Sequence, residues 1–228
     1  MLRIDRLFIL VLMLTGLSMA LLPRLSFAQA GQQQVVPLRK VAVLPFVAIR
    51  PRTSGERMVR GILKESYFRS GELPDRAASK VTSLFYQHLA NLGRCDLISR
   101  ARTTALMGPE EQAALKRDPL SEAVRQGEAV RVYAVVIGAV YRFEERQGGP
   151  LGVEKPASVA FDAHLIRTDD RKVIWSGTVD QTQRALSENL LRARTFVRGG
   201  GKWVTVEELT SLGIESSLGT FPYLSLER

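Results

Sequence analysis

The chain has 228 residues, of which 45% are hydrophobic and 24% charged, with a formal net charge of +9. A single cysteine excludes an intrachain disulfide framework and any zinc cluster built on cysteines. The ordinary hydrophobic and charged fractions exclude wholesale disorder, collagen and coiled coil, and only one apolar run approaches spanning length, which excludes a polytopic membrane protein.

That run lies in residues 1–30, which read as a secretory signal. Arg3 and Arg6 give a positive start, with Asp5 a partial offset. The stretch from Leu7 to Leu22 is interrupted only by Thr15, Gly16 and Ser18 before Pro23 breaks the helix. Small residues follow at signal-peptidase spacing, as Ser26 with Ala28 or as Ala28 with Ala30. Cleavage after Ala28 and after Ala30 both fit. Retention as an inner-membrane anchor stays open too, since the apolar run nearly spans a bilayer. Cys95 is far from this leader, so lipidation of a leader cysteine is excluded, and a small buried strand residue is expected there. An exported basic protein is expected to meet anionic lipid, lipopolysaccharide, peptidoglycan, acidic polysaccharide or an envelope protein, and not nucleic acid.

Residues 29–38 form a polar tether, and KVAVLPFVAI (40–49) predicts a central strand that Pro45 must bend or push to an edge. Residues 50–75 form an insertion. Within it Val59, Ile62, Leu63 and Tyr67 share a helical face, which predicts a short basic amphipathic helix. Residues 75–93 carry the strongest helix signal, with Asp75 as N-cap, an apolar stripe through Ala78, Val81, Phe85 and Leu89, and Gly93 at the end. CDLIS (95–99) reads as a short strand, followed by polar helical sequence over 101–128 broken at Gly108-Pro109 and near Pro119.

Three meander strands follow at 131–143, 157–168 and 171–183, with a Gly/Pro loop at 145–156 and a turn at Asp169-Asp170. Alternation puts Asp162 and His164 on one face of the middle strand, read as solvated. The tail predicts two helices, one starting at Ser187 and ending at Gly199-Gly200-Gly201, the other capped by Thr205 with Glu208. The fold class is therefore α/β: a mixed sheet of about five strands in β-α-β-α-β-β-β order, flanked by helices, with two C-terminal helices. Residues 39–183 form the α/β domain and 184–228 a C-terminal helical extension.

KVAVLPF, the junction LANLGRCDLISRART, the strand YAVVIGAVYRF and the hairpin HLIRTDDRKVIWSGTVDQ together resemble the periplasmic family that includes the TolB N-terminal domain, LpoB, CsgG and PelC. The likeness covers residues 39–183. It implies a binding and assembly module of the bacterial envelope without chemistry of its own, either an adaptor or a ring subunit in biogenesis or export. Homo-oligomers are among the expected partners. Segments long enough for CsgG-like membrane strands are missing from the sequence pattern.

His88 and His164 are the only histidines, and neither stands in a metal-spaced or catalytic motif, so no catalytic residue, metal or cofactor is expected. A periplasmic hydrolase centred on Asp162 and His164 remains the enzyme alternative. For partner binding, Arg50, Arg52, Arg57, Arg60, Phe68 and Arg69 of the insertion and Trp203 beside the triple glycine are the candidates.

Overall fold

A computed structural model of the chain describes residues 37–53, 55–148, 153–183 and 204–226. The leader with Ala28 and Ala30, nearly all of the tether, the helix expected from Ser187, the triple glycine and Trp203 lie outside the described residues.

One mixed sheet organises the described chain, and its strands take the order β10-β9-β6-β1-β5. The parallel half consists of β1 (Lys40–Val43), β5 (Asp96–Leu97) and the start of β6 (Ala134–Glu144). The antiparallel meander consists of β6, β9 (Ser158–Arg167) and β10 (Val173–Thr182). Pro45 splits the first expected strand, because it cannot donate to the ladder. Its second piece, β2 (Val47–Ala48), pairs again with β6 at Ala139 and Val140, so the sheet has six strands where five were expected.

Helices cover both faces. On one side α1 (Ala77–Leu92) and α5 (Val206–Leu218) pack over Val41, Val136, Phe161, Leu165 and Val179. On the other, α2 (Arg100–Ala105), α3 (Pro109–Arg117) and α4 (Pro119–Val130) follow one another, contributing Leu115, Ala123 and Val124 to a second apolar cluster with Val135, Ile137 and Tyr141. Proline opens both α3 and α4, where a missing N–H costs nothing. Asp118 caps α4 by accepting the Ser121 N–H at 3.3 Å. Thr205 and Glu208 form the expected capping box of α5. Gly93 ends α1 at φ 64°, a conformation that glycine adopts without a Cβ penalty.

Three expectations fail for physical reasons. Asp75 is not the α1 cap; the helix starts at Ala77 after Arg76, and the Asp75 carboxylate binds Arg50 at 2.6 Å instead. The loop at 145–156 contains a small two-stranded ladder of β7 (Gln147–Gly148) and β8 (Val153–Lys155). The basic helix of the insertion does not form: β3 (Met58–Arg60) and β4 (Tyr67–Arg69) pair as an antiparallel hairpin. Gly61 sits at its bend, where a Cβ would stand 2.9 Å from the Asp162 carboxylate and 3.2 Å from the Phe68 ring. Lys64, at φ 64°, completes the turn.

Phe85 illustrates the core that supports this arrangement. Fully buried, it lies with ring centroids 5.3 Å from Phe46 and 6.2 Å from Trp175. Phe85→Ala is expected to cost about 3–5 kcal/mol, through lost burial and the cavity left behind. Urea unfolding should show a lower midpoint at unchanged slope; an unchanged midpoint would contradict this packing.

Candidate functional site

The β3–β4 hairpin presents two different faces because its residues alternate. Val59 and Phe68 pair directly and point inward, both buried. Met58 opposite Arg69 and Arg60 opposite Tyr67 point outward. Met58 is 46% and Tyr67 57% exposed, two of the few large hydrophobic side chains that stand open among the described residues. The Arg60 Nε donates to the Tyr67 hydroxyl at 2.8 Å, and its guanidinium carbon lies 5.3 Å from the ring centroid. Arg57 and Lys64 extend the exposed cationic rim. The outcome is a surface of arginine, tyrosine and methionine, the residue types enriched where proteins bind one another.

Its attachment to the sheet starts from a β-bulge. The register of β6 against β9 shifts between Val140 and Arg142, leaving Tyr141 as the extra residue. Ala139 and Tyr141 belong to the hairpin side of the sheet, and Arg142 pairs with Ala160 on that same side. Two consecutive side chains thus project onto one face, and both hold the hairpin. The Phe68 ring stacks on Tyr141 at 4.1 Å and 7°. The Ile62 N–H donates to the Tyr141 hydroxyl at 2.7 Å and lies 3.3 Å from an Asp162 carboxylate oxygen. Arg142, its side chain 5% exposed, donates to the Arg69 carbonyl at 2.8 Å, to Ser158 Oγ at 2.7 Å and to Asp180 at 2.5 Å. Burial pushes the Tyr141 phenol far above its ordinary range, with the Asp162 carboxylate adding to the shift, so the hydroxyl stays neutral. At the hairpin's exit, the Phe143 N–H donates to the Glu72 carbonyl at 2.8 Å.

The predicted partner residues therefore separate. Arg60 and Arg69 share the outward face, with Arg57 exposed just before β3. Arg52 is exposed on the preceding loop, where its own N–H donates to Glu56 at 2.6 Å. Arg50 is committed to Asp75 and to the Leu73 carbonyl at 3.0 Å. Phe68 does not lie on the outward face: at 1% exposure, it is the hairpin's anchor in the core. Met58 and Tyr67 were not among the partner-binding candidates read from the sequence, although the period-two alternation Met58-Arg60 and Tyr67-Arg69 carried the signal.

Asp162 and His164 also stand corrected. They are 2% and 6% exposed, not solvated, because the hairpin and helices cover that face too. His164 Nε2 lies 3.3 Å from Asp162 Oδ2, and its Nδ1 hydrogen-bonds with Ser176 Oγ at 2.8 Å. The pair stands beneath the hairpin, with Asp162 reaching its Ile62 amide, an arrangement that supports structure. His88 is half-buried at a groove of about 420 Å³ between α1 and α5, lined also by Leu84, Glu207, Glu208 and Glu215. Among the described residues no cluster of histidine, cysteine or carboxylates could hold a metal ion, and no helix is long and apolar enough to cross a membrane.

Tyr141→Phe keeps the stack on Phe68 and removes the nearer of the two acceptors of the Ile62 N–H, leaving it the Asp162 carboxylate at 3.3 Å. A loss of about 1–2 kcal/mol is expected, with faster amide exchange concentrated in residues 58–69. Unaltered exchange at Ile62 would show that the phenol does not hold the hairpin.

No family model matches the chain, and no curated protein does. Among solved structures it is similar to the PelC dodecamer from Paraburkholderia phytofirmans, at 16% identity over 85% of this chain and 92% of that one, TM-score 0.45. It is also similar to the lipoprotein GNA1162 from Neisseria meningitidis, at 12% identity over 72% and 94% of the two chains, TM-score 0.43. The LpoB C-terminal domain from Salmonella enterica aligns at 16% identity over 66% and 87%, TM-score 0.37. PelC and LpoB are two of the proteins named by the resemblance in the sequence pattern.

Proposed function

We propose that this chain is a non-enzymatic binding and assembly protein of the bacterial cell envelope, an adaptor or ring subunit in biogenesis or export. The observation that carries the reading is the outward face of the β3–β4 hairpin, where Met58, Arg60, Tyr67 and Arg69 stand exposed on a backbone pinned to the core. Rigid support matters here, because a pre-ordered surface loses little further entropy on binding. The positive rim fits a partner with an acidic surface, whether an envelope protein or an anionic polymer or lipid, and speeds encounter with it. The leader-like N-terminus supports a periplasmic address, with residues 1–28 as signal peptide, 29–38 as tether, 39–183 as the α/β domain and 184–228 as an appended C-terminal segment. The apolar stretch from Leu7 to Leu22 favours one second reading, an inner-membrane-anchored scaffold, which sequencing of the mature N-terminus separates from the first.

Crosslinking in intact cells followed by pull-down tests the proposal, comparing the native chain with Arg57→Glu/Arg60→Glu. Both side chains are exposed, so thermal stability should stay within about 1 kcal/mol. Recovery of envelope synthesis or export proteins should fall about tenfold, equivalent to about 1.4 kcal/mol of lost binding. Equal recovery from the two forms would overturn the hairpin as the docking face.

A further inference from the structure

β10 is an outer strand of the sheet, and among the described residues nothing pairs with its outer edge. The Gln183 N–H donates to the Ala157 carbonyl at 3.0 Å, which fixes the phase of the antiparallel ladder: odd-numbered residues from Gly177 to Gln183 turn their backbone groups toward β9. The backbone groups of Ser176, Thr178, Asp180 and Thr182 turn outward, and among the described residues nothing pairs with them. Natural sheets blunt such edges with lysine, proline or a bulge. The stretch 176–182 has none of these; its one charge, Asp180, is already neutralised by Arg142 at 2.5 Å, and the bulge in the β10–β9 register lies earlier, between Val173 and Trp175.

The layer above the edge shows what fits there. α5 lies over β9 and β10, brought close by Gly213, whose Cβ would stand 2.6 Å from Val179, and by Gly177, whose Cβ would stand 3.2 Å from Ser217. Strands lie about 4.8 Å apart and packed helices about 8–10 Å, so one helix roofs two strands. A bare peptide added to β10 would have no helix above it. A second copy brings its own β10 and its own α5, and the two α5 helices would then stand about two strand spacings apart. Between α5 and the outer edge of β10 runs a polar groove of about 270 Å³, lined by Gln181 and otherwise by small residues, among them Ser176, Thr178, Ser216, Ser217 and Thr220, which leave room for that approach.

We propose that β10 pairs antiparallel with β10 of a second copy of this chain, around a two-fold axis at Thr178, joining the two sheets into one. In this register Thr178 faces Thr178 of the partner subunit, and Ser176 faces Asp180 of the partner subunit. No like charges meet between residues 176 and 180, and a threonine pair is favourable across strands. The interface is isologous, as a closed dimer requires. This surface is separate in its residues from the arginine face of the hairpin, so the two proposals stand or fall independently.

Sedimentation equilibrium of the purified protein up to about 200 µM tests it, a range that covers weak dimers. The native chain should form dimers. Thr178→Lys places two ammonium groups face to face, and Thr178→Pro removes an outward N–H while sparing the β9 ladder; each should weaken dimerisation at least about tenfold. Thr178→Cys should yield a disulfide-linked dimer under mild oxidation, since directly opposed residues lie within bridging distance. The native chain is the control, because burial pushes the Cys95 thiol up to about 12 and keeps it unreactive. A native chain that stays monomeric overturns the proposal. So does association of any order that survives Thr178→Lys and Thr178→Pro alike, or a Thr178→Cys chain that does not crosslink. Should the lysine and proline variants misfold, the cysteine variant decides alone.

Discussion

One extra residue in a strand, Tyr141, supports the outward face of the β3–β4 hairpin. Without the bulge, Tyr141 and Arg142 would point to opposite faces of β6, and only one of them could reach the hairpin. With it, a phenol and a guanidinium emerge side by side. The phenol binds the Ile62 amide and stacks on Phe68; the guanidinium binds the Arg69 carbonyl. A two-stranded hairpin alone is marginal in water, so these contacts and the buried Val59 and Phe68 are what hold its outward face in one shape.

Burial on both faces of the central strands explains where the sequence was legible. β6 reads as a nearly unbroken apolar run because helices cover one side and the hairpin and further helices the other. Outside the β3–β4 and β7–β8 ladders, the order of the sheet's main strands, the three meander strands, the α5 capping box and the Gly93 terminator follow from local chemistry and could be read directly. Tertiary effects were not legible. Asp162 and His164 alternate as solvated residues would, yet they lie under the hairpin, and nothing local in the sequence announces the cover. The hairpin itself read as a helix because Val59, Ile62, Leu63 and Tyr67 fit a 3.6-residue period, although Val59 and Tyr67 turn to opposite faces of the ladder. Gly61, where a side chain would crowd Asp162, and Lys64, at φ 64°, mark the turn between the two strands.

The same reasoning separates the candidate arginines. Five were equivalent in sequence as exposed cations, and the structure gives them unequal work. Arg50 ties the insertion to the start of α1 through Asp75 and the Leu73 carbonyl. Arg60 covers Tyr67, and Arg69 lends its carbonyl to Arg142 while its side chain stays outside. Charge at such exposed positions is screened over about 8 Å at physiological salt, so it acts on encounter more than on residence. Met58 and Tyr67 supply the apolar area that such a rim lacks.

Arg142 also joins the two outward-looking features of the chain. Its guanidinium crosses over Ala160, whose small side chain leaves the path open, and reaches Asp180 on β10 while holding Arg69 of the hairpin on its other side. A buried guanidinium is costly unless its nitrogens are hydrogen-bonded and its charge is paired. Here Nε goes to Ser158, one terminal nitrogen to the Arg69 carbonyl and the other to the Asp180 carboxylate. A lysine at this position would place a single ammonium where three separated acceptors wait, so the planar fork cannot be replaced by charge alone. The charge buried in the sheet is thereby what neutralises the β10 edge and steadies the hairpin, and both surfaces rest on one side chain that neither exposes.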